Sequence, residues 1–439
     1  MKKISLTTLG CAKNLADSEN MLGLLHSSGY QVTTSPQKSD ICIVNTCTFI
    51  SESTNQSLDT LLDLADSGKD IIVSGCLAQR YKEALFDEIP KVKAILGTGD
   101  IEEIVNAVHW VSNNKEQRSF FRENKGYVAS QTIPRIRLSG GISAYVKISE
   151  GCNHKCSFCI IPSLRGKLKS RPIEDIVKEI QSLSDEGVKE VILVSQDSTA
   201  YGIDIYNGQW KLAKLLEAIA TQTKIPWVRL MYSYPGEVTD DMLRVIKQYD
   251  SLLKYIDIPL QHSHPKTLAR MKRPVSSKET IDKIRNQIPN IALRTTFITG
   301  FPGETNEEFE DLQSFVISEK FDRAGVFTYS QEDTTHGASL EDQVPEKIKK
   351  ERQKKLLEIQ KEVSAQKNKE LIGSKQKVLV EKKFDNYLVG RTYRDAPEID
   401  GKVSISSIND RISDSLIGEF VDVKITKAND YDLFGEILI

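Results

Sequence analysis

No run in this sequence approaches the roughly 20 consecutive apolar residues that cross a bilayer, and the opening segment, MKKISLTTLG, turns polar without the apolar core of a signal peptide. Neither sign of charge prevails, with 59 basic residues against 61 acidic ones and a formal charge of -2. The first two absences predict a cytoplasmic protein with no membrane partner. The third argues against a molecule-wide field suited to wrapping nucleic acid. A disulfide framework is excluded as well: seven cysteines is an odd number, and the cytosol keeps thiols reduced. Metal or redox chemistry is therefore the question these cysteines raise.

A chain of 439 residues is too long for one ordinary core. Over residues 1–118, short β-rich runs (KISLTTLG, YQVTT, DICIVNT, DIIVSG, VKAILGT) alternate with helical segments, which predicts a doubly wound parallel sheet of the α/β class. The polar stretch from about Asn113 to Ser139 has no clear periodicity and marks a boundary. Six further strand candidates follow within residues 138–369: AYVKIS, EVILVS, WVRLMYS, LKYIDI, ALRTTFIT and AGVFTYS. A full eight-stranded barrel takes about 250 residues, so a partial, open (β/α)6 TIM-like barrel fits better. This module ends in a long connector helix, with Pro345 near its start and Leu356, Ile359 and Val363 at helical spacing. Residues 371–439 hold about five short strands broken by Gly, Asp and Asn turns, the pattern of a small antiparallel OB-like β-barrel.

Cys152, Cys156 and Cys159 lie in EGCNHKCSFCIIP, a Cys-x3-Cys-x2-Cys spacing, just after the first barrel strand. Barrels of this kind keep their active sites at that face. Three thiolates leave one iron of a 4Fe-4S cubane without a protein ligand, and that iron can chelate the amino and carboxylate groups of S-adenosylmethionine. An electron passed into the sulfonium then cleaves its C5'–S bond to a 5'-deoxyadenosyl radical. A structural zinc knuckle using His154 is the competing reading. Zinc sites pair two close ligands with two distant ones, whereas His154 sits inside the triplet. The spacing, with Phe158 before the last cysteine, resembles the radical S-adenosylmethionine superfamily signature. In such an enzyme, candidate nucleotide contacts are Phe158, then Ser195, Gln196 and Asp197 after the second strand, and Gly300 and Gly303 in ITGFPGE after the fifth. A turn or helix cap is the alternative for each. Gln261 and His262, ending IPLQH, face the same way, with a satisfied histidine as the alternative to a substrate contact.

Cys11, Cys47 and Cys76 each follow the end of a strand in the first module (KISLTTLGC, DICIVNTC, DIIVSGC). Carboxyl ends of parallel strands converge on one crevice, so three thiols distant in sequence can gather there, again leaving one iron of a cluster open. Taken singly, each would be a small buried hydrophobe. Cys42 lies inside its strand and is assigned to the core. Gly10, Asn14 and Asn45 could support cluster sulfurs or serve turn chemistry.

These features together resemble the methylthiotransferase family, over essentially the whole chain. The wording LGCAKNLADSEN, EGCNHKCSFCIIPSLRGKLKSRP, FITGFPGETNEEFEDL and RTYRDAPEIDGKV resembles its RimO branch, which modifies an aspartate of small-subunit ribosomal protein twelve. The resemblance implies a C-terminal TRAM domain, two 4Fe-4S clusters, and two molecules of S-adenosylmethionine per turnover. One of these methylates a sulfur carried by the N-terminal cluster; the other becomes the radical that takes a hydrogen from the aspartate β-carbon, which then receives the methylthio group. It also implies an electron donor such as flavodoxin or ferredoxin. The rival branch methylthiolates adenosine in tRNA. From Leu371 onward ten basic residues face twelve acidic ones, and a module that tracks RNA should be basic. Residues 344–370 carry nine basic against five acidic residues, more often a solvated helix face. Nucleic acid is therefore not expected as the direct substrate.

Overall fold

The computed structural model describes residues 2–114, 116–122, 130–138, 141–406 and 414–438. Part of the expected linker (Lys115, 123–129 and Ser139) lies outside these residues, as do Met1 and Ile439. Tertiary contacts divide the chain into two compact units. One comprises Met1–Ile180, Leu193–Lys211 and Glu332–Thr335; the other comprises Gln181–Ile192, Leu212–Gln331 and His336–Ile439.

The first unit opens with strands β1 (Lys3–Thr8), β2 (Gln31–Thr33), β3 (Ile41–Thr46), β4 (Asp70–Gly75), β5 (Val92–Leu96) and β6 (Arg118–Phe120). Helices α1 (Ala12–Ser27), α2 (Ser51–Asp66), α3 (Cys76–Tyr81), α4 (Ala84–Glu88) and α5 (Ile104–Asn113) alternate with them. The order is β2-β1-β3-β4-β5-β6, parallel throughout. Both faces are covered, which is why the central strands read as continuous apolar runs. Ile41, Ile43, Ile72 and Leu96 join a core with Met21 and Val108. Val44, Ile71, Val73 and Ile95 point the other way, to Leu61 and Leu77. Cys42 is buried among them, its Sγ 3.3 Å from Ser39 Oγ. The order reverses between β1 and β3, the point at whose carboxyl ends sheets of this kind bind ligands.

Strand β6 falls within the stretch read from the sequence as an aperiodic linker. It is a three-residue edge strand paired with β5 through Ala94 and Arg118, too short to show a period of two. Residues 130–138 also belong to this unit by contact: Arg135 pairs with Glu19 at 2.5 Å, and the Leu138 N–H donates to the same carboxylate at 2.7 Å.

The chain continues through β7 (Ser143–Lys147), β8 (Ser149–Glu150), α6 (Ile161–Arg165), β9 (Lys169–Ser170), α7 (Ile173–Asp185) and β10 (Glu190–Val194). The second unit holds α8 (Leu212–Gln222), β11 (Trp227–Leu230), α9 (Asp240–Gln248), β12 (Leu252–Asp257), α10 (Pro265–Arg270) and α11 (Ser277–Gln287). After these come β13 (Ala292–Thr299), α12 (Asn306–Glu319), β14 (Arg323–Thr328) and α13 (Glu346–Glu370). The sheet order is β14-β13-β12-β11-β10-β7, sequential and unclosed, as a partial barrel requires. Pro345 caps α13, whose Leu356 and Val363 are buried. Strands β15 (Lys375–Phe384), β16 (Tyr387–Arg391), β17 (Val403–Ser406), β18 (Phe420–Ala428) and β19 (Leu433–Ile437) close into a small barrel, order β15-β16-β17-β19-β18, around Val378, Leu388, Val403 and Ile425. Within this unit, DAPEIDG turns inward. Asp395 pairs with Arg323 at 2.6 Å, and Asp400 accepts from the Tyr255 hydroxyl at 2.8 Å. Among the described residues, no helix is long and apolar enough to cross a membrane.

Candidate functional site

Three of the seven thiols lie at the carboxyl edge of the first sheet. Because β1, β3 and β4 are neighbours, Cys11 at the start of α1, Cys47 just past β3 and Cys76 at the start of α3 stand side by side. Gly10 makes this approach feasible: its φ is +87°, and a Cβ there would lie 2.6 Å from Cys47 Cβ and 2.9 Å from its Sγ. Asn14 and Asn45 hold the loops through the backbone. Asn14 Nδ2 donates to the Leu9 and Thr46 carbonyls at 2.8 and 3.0 Å, and Asn45 Nδ2 to the Asn14 carbonyl at 2.9 Å. Ser57 Oγ donates to the Cys47 carbonyl at 2.7 Å and accepts the Cys47 N–H at 3.1 Å.

The thiols feel one another and the cations beneath them. Burial pushes Cys76 up to about 11, with Cys11 and Cys47 adding to the effect and Arg165 opposing it. Burial also pushes Cys47 up. Burial acts on Cys11 too, yet Lys13, Arg165 and the N–H groups of Asn14 and Lys13 outweigh it and hold that thiol below its ordinary value.

The second centre lies in the loop between β8 and α6. A turn from the Cys159 N–H to the Cys156 carbonyl, 3.1 Å, shapes the triplet, and the Cys152 N–H donates to the Gly166 carbonyl at 3.1 Å. Burial, reinforced by Asp197, Cys159 and Cys156, pushes the Cys152 thiol up to about 12. A bound metal ion reverses that preference by drawing off the proton. One ligand atom each of Cys152, His154 and Asp197 lie within 4.8 Å of one another, and His154 Nε2 meets Asp197 Oδ2 at 2.6 Å. The donor set suits the expected clusters: three thiols at each centre, with the seventh, Cys42, buried inside a strand.

The remaining sequence candidates fall in two places. Phe158 is half-buried beside the cysteines. Ser195 Oγ lies 2.9 Å from Ser198 Oγ. Gln196 Nε2 donates to Glu150 at 2.5 Å, while its Oε1 is buried with no hydrogen-bond partner among the described residues. Asp197 Oδ1 accepts from the Thr199 N–H and hydroxyl at 3.0 and 2.6 Å. In the second unit, side chains at Gly300 and Gly303 would strike Lys349 and approach Arg270, respectively. Glu304 receives the Gly300 N–H at 2.5 Å. His262 is fully buried after β12, its Nδ1 accepting the His264 N–H at 3.0 Å, and Gln261 has a φ of +72°.

A buried charge network in the first unit escaped the sequence reading. Lys147 is ion-paired with Asp17 and, at 2.6 Å, with Glu150; Arg165 meets Glu150 at 2.9 Å, and Lys13 Nζ donates to the Ser195 carbonyl at 3.1 Å. Burial opposes ionisation of Glu150, but Arg165 and Lys147 overcome it and hold the carboxyl down at about 2. Glu150 and Arg165 bracket the cysteine triplet in sequence, and that proximity was the available signal.

The partial barrel, with its Cys-x3-Cys-x2-Cys loop after the first strand, defines a radical S-adenosylmethionine enzyme. Residues 146–316 match the Radical SAM superfamily, residues 3–97 match Uncharacterized protein family UPF0004, and residues 372–438 match the TRAM domain. The chain is 43% identical to "Ribosomal protein uS12 methylthiotransferase RimO" of Desulfitobacterium hafniense (strain Y51), over 100% of this chain and 99% of that protein. It is 44% identical to the protein of the same name from Citrifermentans bemidjiense, over 100% and 98% of the two chains. Identity at this level over the full length shows that the chain belongs to the uS12 methylthiotransferase RimO family. Its fold is similar to that of the radical S-adenosylmethionine methyltransferase TsrM from Kitasatospora setae, with TM-score 0.56, 14% identity, and 76% and 77% of the two chains covered.

Proposed function

We propose that this protein methylthiolates the β-carbon of an aspartate in small-subunit ribosomal protein twelve, using one cluster on Cys11, Cys47 and Cys76 and another on Cys152, Cys156 and Cys159. The observation that carries this reading is the convergence of Cys11, Cys47 and Cys76 on adjacent strand ends, in a chain that also has the radical loop. The full-length relatives and the acidic last barrel favour a protein substrate over tRNA.

When bound, the clusters would supply one-electron reduction of S-adenosylmethionine and a site that carries sulfur. The chain's own part is to hold six thiols in two sets and limit their exposure to water. We assign Phe158, Ser195, Gln196, Asp197, Gly300 and Gly303 to S-adenosylmethionine, two molecules per turnover. Gln196 supports this assignment, since its amide oxygen is buried without a partner among the described residues. The working divisions are 1–118, 138–369 and 371–439. We further propose a cytoplasmic location and a flavodoxin or ferredoxin as electron donor.

The test incubates the reconstituted full chain with the ribosomal protein and, separately, with tRNA, reading both by mass spectrometry. A methylthio group on one aspartate is expected. A modified nucleoside beside an untouched protein would overturn the proposal.

A further inference from the structure

Arg165 ends the five-residue helix α6, and its side chain is only 2% exposed. A guanidinium offers five donors in a fixed plane, and here they reach three directions. Nη1 meets Glu150 Oε1 at 2.9 Å, while Nη2 meets Asn14 Oδ1 at 2.6 Å and Cys76 Sγ at 3.5 Å. Glu150, with Asp17 3.7 Å from Nη1, balances its charge, and Nη2 shares its two N–H groups between Asn14 and the Cys76 sulfur. The same residue lies six positions beyond Cys159 in the chain. A single buried cation thus touches the sulfur of one cysteine centre and is tethered to the loop of the other.

We propose that Arg165 is a positioning residue for the Cys11, Cys47 and Cys76 centre, donating to the Cys76 sulfur and stabilising the extra negative charge of a reduced cluster there. This inference rests on the two-cluster reading above. Hydrogen bonds to cluster sulfurs and nearby charge set the reduction potential, so a buried positive charge at hydrogen-bond distance favours reduction. Lys13, itself buried, adds a cation on the Cys11 side.

The test uses the full chain carrying Cys156→Ala, reconstituted with iron and sulfide and grown with heavy-nitrogen arginine, so that the N-terminal centre is the remaining cluster site. Pulsed EPR of the reduced cluster is expected to resolve an arginine nitrogen coupling that disappears in Arg165→Lys. In Arg165→Gln the reduction equilibrium should fall about tenfold, a midpoint lower by about 59 mV for one electron. Arg165→Lys should recover most of that shift. An iron-loaded chain without the nitrogen coupling overturns the proposal and leaves the two-cluster reading standing, as does an unchanged midpoint in folded Arg165→Gln. If Arg165→Gln fails to fold, the coupling in the chain that retains Arg165 decides alone. A Cys156→Ala chain that takes up no iron overturns the two-cluster reading and this inference with it.

Discussion

Asp197 Oδ2 lies 2.6 Å from His154 Nε2, joining the segment after β10 to the loop of Cys152, Cys156 and Cys159. Its other oxygen accepts from the Thr199 N–H, the Thr199 hydroxyl and the Ala200 N–H. Asp197 is 3% exposed, so its carboxylate makes these bonds shielded from water.

Asp197→Ala should therefore cost about 1–3 kcal/mol of stability through donors left unsatisfied. It should also weaken iron retention about 10- to 100-fold, the usual effect of removing a group that orients a ligand loop. Chelator challenge and thermal unfolding of the reconstituted chain measure the two effects. Asp197→Asn keeps an acceptor and should lose less. Wild-type chelator resistance in the alanine variant would remove Asp197 from the loop's support.

The two centres should separate by substitution. Cys156→Ala should abolish 5'-deoxyadenosine formation on reduction with S-adenosylmethionine. Cys47→Ala should keep that product, lose methylthio transfer, and drop from about eight irons per chain to about four. Iron analysis beside product chromatography reads all three quantities. Intact methylthio transfer in Cys47→Ala would end the assignment of the N-terminal centre.

The sequence made the cysteines legible because spacing and strand ends are local patterns. Cys-x3-Cys-x2-Cys is contiguous, and the apolar runs before Cys11, Cys47 and Cys76 each announce a buried parallel strand. Every long strand was visible in the same way. The short edge strand β6 was not, because three residues carry no period. Nor was the network of Asp17, Lys147, Glu150 and Arg165, since a charged residue looks alike in sequence whether solvated or buried against a partner 130 positions away. The DAPEIDG stretch was visible as a branch marker, but its inward ion pairs are a tertiary fact.

Arg391 and Glu190 form another such pair, with Nη2 and Oε2 2.5 Å apart and side chains 1% and 0% exposed. Arg229 meets the same carboxylate at 2.7 Å. Glu190→Gln removes the carboxylate that buried Arg229 pairs with and leaves Arg391 to Glu381, 2.7 Å away, and breaking a buried pair from one side costs about 3–5 kcal/mol. Urea unfolding of the full chain should show that loss. The double variant Glu190→Gln with Arg391→Met should recover part of it. A single variant within about 0.5 kcal/mol of wild type would mean that the pair adds nothing.

His262 supplies a pH dependence. Burial lowers its pKa to about 3, and the cations Arg270 and Arg352 and the neighbouring His264 act in the same direction against Glu308. The unfolded imidazole titrates near 6.5. The folded chain therefore keeps His262 neutral while the unfolded chain takes up a proton, so the unfolded state binds more protons below pH 6.5. By linkage, this residue's contribution to stability is complete above about 6.5 and is lost progressively as pH falls from there towards about 3. His262→Asn offers an amide oxygen where Nδ1 accepts the His264 N–H and removes the titration. Between about pH 7 and pH 5, the melting temperature of the asparagine variant should fall less steeply than that of wild type, whatever its starting value. Parallel curves would show that His262 is not held neutral by the fold.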